Sequence, residues 1–268
     1  ASCSMTINLD ICKSFTPKYV TSDSAWTGHI PLVPFLINEV KPHIFVELGT
    51  HSGSSYFSFC QSVTELNLNT HCYAVDSWEG DNHSGRYSNK IFDKVESYNH
   101  KNYEKFSTLH RMKFDCALDL FEDNSVNLLH IDGFHSYEAV KNDFDTWYPK
   151  LAQGALVIFH DTEVKSRNFG VYKYWAELTK KYKNNISFSH SSGLGILQVD
   201  DKTKDPIKKY EWLLLTGDKR KGFIFEITTY GLLLIEKIKN DQINEMRLKA
   251  DLERANFFEE NSYLNTTL

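Results

Sequence analysis

The sequence predicts an α/β fold, a doubly wound and mostly parallel sheet with helices on both faces, and three observations carry that prediction. Short apolar runs alternate with longer amphipathic stretches through residues 40–200, the pattern of strand–helix–strand units whose crossovers cover both sheet faces. Several runs close on Gly, Asp or His: Ile44 to Leu48 before Gly49, Val126 to Ile131 before Asp132-Gly133, and Ala155 to Phe159 before His160-Asp161. Finally, 268 residues with 41% apolar and 24% charged side chains suffice for one sizeable core with appendages.

Taken in order, residues 1–39 read as one or two helices joined at Thr27-Gly28, expected to form a lid over the strand ends. Residues 40–200 are the expected main domain. Ile44 to Leu48 is the first strand and Ser52 to Leu66 the helix after it. His71 to Val75 and Thr108 to Met112 are the second and third strands. Val126 to Ile131 is the fourth. Tyr137 to Tyr148 is helical, with Val140, Phe144 and Trp147 on one face and a stop before Pro149. Ala155 to Phe159 is the fifth strand, followed by a helix over Val171 to Tyr182. Ile186 to His190 and Leu194 to Val199, separated by Ser-Ser-Gly, predict a terminal hairpin. Residues 201–268 carry 12 basic and 12 acidic residues, a composition shift that marks a helical extension. Its pattern from Phe223 to Glu260 departs from strict heptads, so it predicts either packing on the domain or an oligomer interface.

The net charge of −5 provides no basic face for nucleic acid. The apolar runs are far too short for a membrane span, and the N-terminus lacks signal-peptide regions. A cytoplasmic location is expected. The first residue is Ala rather than Met, as in a processed or excised chain. Cys3, Cys12, Cys60, Cys72 and Cys116 are odd in number and without C-x-x-C spacing, which argues against a disulfide framework or a thiolate zinc site.

In such sheets ligands bind at the carboxyl ends of the strands. After the first strand stand Glu47, Gly49, Thr50, Gly53 and Ser54, a glycine turn into a helix whose first amides face a ligand. The second strand ends in Asp76, placed to accept from ribose hydroxyls. His51 occupies the place of a second dinucleotide-fingerprint glycine, so a pyrophosphate fits poorly and another adenosine-containing cofactor is expected. Asp132, His160 and Asp161 close two neighbouring strands. They suit a divalent cation, Mg²⁺ or Mn²⁺ first, with Fe²⁺ or Zn²⁺ also compatible; alternatively, Asp161-Thr162 caps the next element. His135 is the expected general base.

The string Phe45-Val-Glu-Leu-Gly-Thr-His-Ser-Gly-Ser-Ser55 resembles motif I of class I S-adenosylmethionine-dependent methyltransferases. Ala74-Val-Asp-Ser-Trp-Glu-Gly-Asp81, Leu129-His-Ile-Asp-Gly-Phe-His135, Phe159-His-Asp-Thr162 and Phe169-Gly-Val-Tyr172 resemble a branch found with glycosyltransferases and polysaccharide biosynthesis. The layout is similar to that of metal-dependent O-methyltransferases. The resemblance implies a Rossmann-like sheet of seven strands and S-adenosylmethionine as cofactor. It places Glu47 and Gly49 at the methionine and ribose pocket, Asp76 on the ribose, and Phe114 and Asp115 beside the adenine. Asp132, His160 and Asp161 match the metal triad, with His in place of one carboxylate, and His135 falls where a lysine base is usual. Trp78, Asp81, His83, Arg86 and Tyr87 are expected to contact a sugar, by stacking and by hydrogen bonds to hydroxyls. The expected activity is O-methylation of a sugar hydroxyl of a glycan. A small-molecule O-methyltransferase and a non-catalytic glycan-assembly module are the alternatives. A homo-oligomer or a glycosyltransferase bound through the C-terminal helices is the expected partner.

Overall fold

The structure is a computed structural model that describes residues 7–21, 25–81, 85–86 and 89–265. Its sheet has seven strands: β1 (Ile44–Leu48), β2 (His71–Asp76), β3 (Ser107–Arg111), β4 (Val126–Ile131), β5 (Leu151–His160), β6 (Asn185–Phe188) and β7 (Leu194–Gln198). They lie in the order β3-β2-β1-β4-β5-β7-β6. The first five are mutually parallel, and β7 runs antiparallel to both β5 and β6. This is the expected Rossmann-like α/β architecture, terminal hairpin included. The strand order reverses between β1 and β4, which opens a crevice at their carboxyl ends.

The helices in chain order are α1 (Asp10–Ser14), α2 (Leu32–Val40), α3 (Ser54–Glu65), α4 (Asn89–Asn102), α5 (Phe114–Ala117), α6 (Tyr137–Trp147), α7 (Val171–Lys181), α8 (Glu211–Leu214) and α9 (Gly217–Asn265). Strand alternation divides the core between two faces. Val46, Leu48, Leu129, Ile131, Val157 and Phe159 point to one side, packed with Phe144 and Trp147 of α6 and Tyr174 of α7. On the other side Phe45 stacks on Phe59 of α3 at 4.2 Å between centroids. Each such fully buried aromatic contributes about 2–3 kcal/mol. Glu47 and His130 also point to the α3 side, a polar pair inside an apolar layer.

The described part of the N-terminal segment before α2 meets α3 and the loop that leads into it. Tyr19 donates its hydroxyl hydrogen to the Ser52 carbonyl at 2.7 Å, Gln61 of α3 bonds the Thr16 carbonyl at 2.9 Å, and Trp26 is buried.

The chain divides into two compact units, Ala1–Gly231 and Leu232–Leu268. In the first, Trp212 and the start of α9 close over α2: Phe223 stacks on Trp212 and tilts against Phe35. A Cβ on Gly231 would stand 1.9 Å from the Gly28 carbonyl oxygen, so only glycine permits this approach. The described residues of the second unit are helical and expose Leu232, Leu233, Met246, Leu248, Leu252 and Phe257.

Candidate active site

Backbone hydrogen bonds draw three strand ends together. Gly49 donates to the Val75 carbonyl at 2.9 Å and Asp132 to the Leu48 carbonyl at 2.8 Å. Gly49 has φ +89°, and a Cβ there would stand 2.0 Å from the Asp132 carbonyl oxygen. No other residue fits between β1 and β4 at this point. The turn then enters α3.

Two cavities open on these strand ends. The first, about 360 Å³, lies outside β1 and β2 and is lined by Asp76, Ser77, Asp81, Lys113, Phe114 and Gly133, among others. The second, about 460 Å³, lies outside β4 and β5, with Thr50, Ser54, His160, Asp161, Arg167 and Phe169 on its walls. Gly49, His51, Asp132 and His135 line both.

The two acids at the β1 and β2 ends are engaged by their surroundings. Glu47 is fully buried; its Oε2 accepts from the Ser55 hydroxyl at 2.7 Å and lies 2.8 Å from Nδ1 of His130, its register partner on β4. Trp26 donates its indole N–H to Nε2 of His130 at 3.2 Å. An indole only donates, so His130 accepts at Nε2 and carries its hydrogen on Nδ1, toward Glu47. Glu47 lies behind the turn and lines neither cavity, so it acts through the loop it supports. Its Oε1 is buried and accepts nothing from the described residues. Asp76 accepts three backbone hydrogens, from Thr50 and His51 at 2.9 Å onto Oδ2 and from Trp78 at 2.8 Å onto Oδ1. A carboxylate has about four lone-pair directions, so Asp76 first shapes the turn and offers a ligand what remains.

At the ends of β4 and β5 the acids face imidazoles. His135 Nε2 is 2.9 Å from Asp161 Oδ2 and 3.6 Å from Asp132 Oδ1. His160 Nδ1 is 3.5 Å from Asp132 and 3.4 Å from Asp161. His160 donates from Nε2 to the Ser191 carbonyl at 3.1 Å, which turns Nδ1 toward the carboxylates. Burial opposes the charged imidazolium of His135, yet the carboxylates of Asp132 and Asp161 outweigh it and push its pKa up to about 9. Burial and the same acids act on His160, pushed up to about 10. Burial likewise works against the ionised acids, but the imidazoles hold both Asp132 and Asp161 below the usual carboxylate range.

Asp132, His135 and Asp161 each bring one donor atom within 4.8 Å of the others. These hard oxygen and imidazole donors fit a divalent cation. By sequence, His135 is expected as a base and His160 as the nitrogen ligand. In the structure both imidazoles face the acids, and His135 stands within the donor cluster.

The remaining expected residues fall variously. Thr50 and Ser54 are buried on the wall of the second cavity, and Gly53 (φ +83°) precedes α3. Phe114 lies against Gly133 and lines the first cavity, whereas Asp115 is exposed. Trp78 corrects the expectation of a sugar platform. It is 1% exposed, its indole donates to the His51 carbonyl at 2.8 Å, and its ring packs on Phe92. Asp81 does line the first cavity. His83 and Tyr87 lie outside the described residues, as does the side chain of Arg86, whose backbone pairs with Gly80.

The structure adds residues that the sequence reading left without a role. Phe169 stacks on His135 with centroids 4.4 Å apart and planes 1° from parallel, and its motif was the only available signal. Trp26, which joins the second cavity wall to His130, stands in no recognisable pattern.

Residues 46–162 match a family model described as a methyltransferase domain. The chain is 47% identical over 181 residues, 68% of its length, to the protein y4gI of Sinorhizobium fredii, and spans about 20% of that protein. A solved Staphylococcus aureus structure, a candidate caffeoyl-CoA O-methyltransferase, aligns with TM-score 0.51 and 18% identity, covering 63% of this chain and 82% of that one. The S-adenosylhomocysteine-bound methyltransferase PaMTH1 of Podospora anserina aligns with TM-score 0.50 and 12% identity, covering 72% and 86%. At these identities the two structures speak for the fold. The chain carries the fold of these methyltransferases, and residues 46–162 are the part that matches the methyltransferase-domain family.

Proposed function

We propose that this chain is an O-methyltransferase that moves a methyl group from S-adenosylmethionine to a saccharide hydroxyl during glycan assembly, aided by a divalent cation. The observation that carries the reading is the meeting of two cavities at Gly49, His51, Asp132 and His135. The first cavity is the cofactor's: Asp76 stands at its β2 end, Phe114 offers a flat apolar wall, and Gly49 and Gly133 let backbone approach closely. The second is the acceptor's. Thr21, Thr50, Ser52, Ser54, Ser55 and Ser192 line it, a hydroxyl-rich wall suited to a polyhydroxyl compound, with Trp26 and Phe169 as apolar faces.

S-adenosylmethionine supplies a methyl group already activated by its sulfonium charge. Asp132 and Asp161, with the Nδ1 of His160 that faces both, would hold a cation that supplies Lewis acidity toward an acceptor hydroxyl, with His135, the third donor of the cluster, kept for proton transfer. The chain's own contribution is orientation and exclusion of water. The acceptor oxygen gains the carbon, the carbon–sulfur bond breaks, and the hydroxyl proton leaves. His135 lines both cavities and is the group placed to take that proton. Beside two unshared carboxylates it keeps its own proton near neutral pH, so it acts as a base only once their charge is engaged.

The S. fredii relative is several times longer, and a place beside a glycosyltransferase, in the cytoplasm, completes the reading. The test offers labelled S-adenosylmethionine with a panel of saccharides, with and without EDTA. Label in the sugar, lost on chelation and restored by Mg²⁺ or Mn²⁺, is the expected result. Transfer unaffected by chelation removes the cation. Cofactor binding without transfer to any acceptor favours a non-catalytic assembly module.

A further inference from the structure

The loop between β5 and α7 places one cation over the acceptor cavity. Arg167 lies on the wall that also holds Asp132, Asp161 and Thr50. Its guanidinium sits over the Phe169 ring, 4.9 Å from the centroid, and Phe169 in turn stacks on His135 at 4.4 Å. Phe169 thus contacts both the exposed guanidinium and the proposed proton acceptor.

Arg167 and Asn168 have φ values of +54° and +59°. A left-handed conformation is unfavourable for an ordinary residue, less so for Asn. The loop thus accepts strain at Arg167, as loops at binding sites often do. Among the described residues no carboxylate pairs with this guanidinium. The acids of the same cavity are already committed: Asp161 to His135 at 2.9 Å, and Asp132 to His160 at 3.5 Å. With its carbon over the Phe169 ring, the guanidinium has N–H donors that suit the fork geometry of an oxyanion.

From this we infer that the acceptor carries an oxyanion, a carboxylate or a phosphate, besides the hydroxyl to be methylated, and that Arg167 binds it. The inference rests on the proposed methyltransferase reading and narrows its substrate class to acidic sugars. Carboxylate and phosphate share the chemistry that the guanidinium recognises.

The test is binding, separate from turnover, in the full chain. Glucose, glucuronic acid and glucose 6-phosphate are titrated calorimetrically into wild type, Arg167→Gln and Arg167→Lys, with S-adenosylmethionine titrated into each as a control. Wild type should bind at least one acidic sugar about tenfold or more tightly than glucose. Arg167→Gln should reduce that preference to near unity, and Arg167→Lys should recover part of it, with cofactor affinity constant. The acid that is preferred identifies carboxylate or phosphate as the source. Equal binding of glucose and both acids by wild type overturns the inference, as does a preference that survives in Arg167→Gln. A chain that binds no S-adenosylmethionine contradicts the methyltransferase reading itself, and the sugar titrations separate that failure from this one.

Discussion

Two pairs of acids stand at the ends of neighbouring strands, and their partners set them apart. At β1 and β2, Glu47 and Asp76 accept from Ser55, His130 and three backbone amides. At β4 and β5, Asp132 and Asp161 face two imidazoles on the wall of an open cavity. The first pair builds the turn on which we propose that a cofactor rests. The second pair has donors that a cation or a substrate can displace. A carboxylate at a strand end is therefore not a site by itself; what donates to it decides its role.

The sharpest way to break the scaffold half of this contrast is Gly49→Ala. The added Cβ meets the Asp132 carbonyl at 2.0 Å and the residue keeps φ +89°. Strain and overpacking together should cost about 3–5 kcal/mol, lowering Tm in a thermal melt by roughly 10 °C. An unchanged melt would show that the turn is not built as described.

A smaller effect is expected from Asp76→Asn. The amide keeps one acceptor oxygen where three backbone donors now converge, so about 2 kcal/mol of stability should go. S-adenosylmethionine affinity should fall about tenfold with it, because the same turn carries the ligand. Calorimetry and a denaturant melt on one preparation check both; loss of affinity with no loss of stability would make Asp76 a ligand contact only.

Asp143 on α6 sharpens the comparison from outside either pair. It is buried behind Gly133, and burial, aided by the charge of Asp115, pushes its pKa up to about 7. The native state then holds a proton that the unfolded chain has lost above pH 4. Stability from this group is full below pH 4, falls as pH rises to 7, and levels beyond. Asp143→Asn should flatten that fall and stabilise the protein by about 2 kcal/mol at pH 8. Urea midpoints at pH 4.5 and pH 8 measure it, and a variant with the wild-type slope would refute the assignment.

The sheet was legible because each strand is a compact apolar run. For β5 only Ala155 to Phe159 was readable, since Gln153 and Gly154 interrupt the run and hide the first residues of Leu151–His160. α4 offered no clear stripe: only Val95 and Asn99 of its 14 residues are buried. The strand-end acids were legible by position, but their hydrogen-bond partners were not. Asp76 is held by amides 25 and 26 residues away, and Glu47 by an imidazole 83 residues away. Trp78 misled because an aromatic side chain beside polar residues reads alike whether it faces a ligand or the core. Arg167 left no periodic trace, for its role depends on the fold of one loop.

In the proposed mechanism the β4 and β5 acids serve the reaction, while the β1 and β2 acids serve the cofactor's turn. Turnover of labelled S-adenosylmethionine by Asp132→Asn, at saturating cofactor and with its affinity measured on the same sample, tests this most directly. The expected result is a rate lower by about a thousandfold with affinity held within a few-fold. Wild-type turnover in this variant would contradict it.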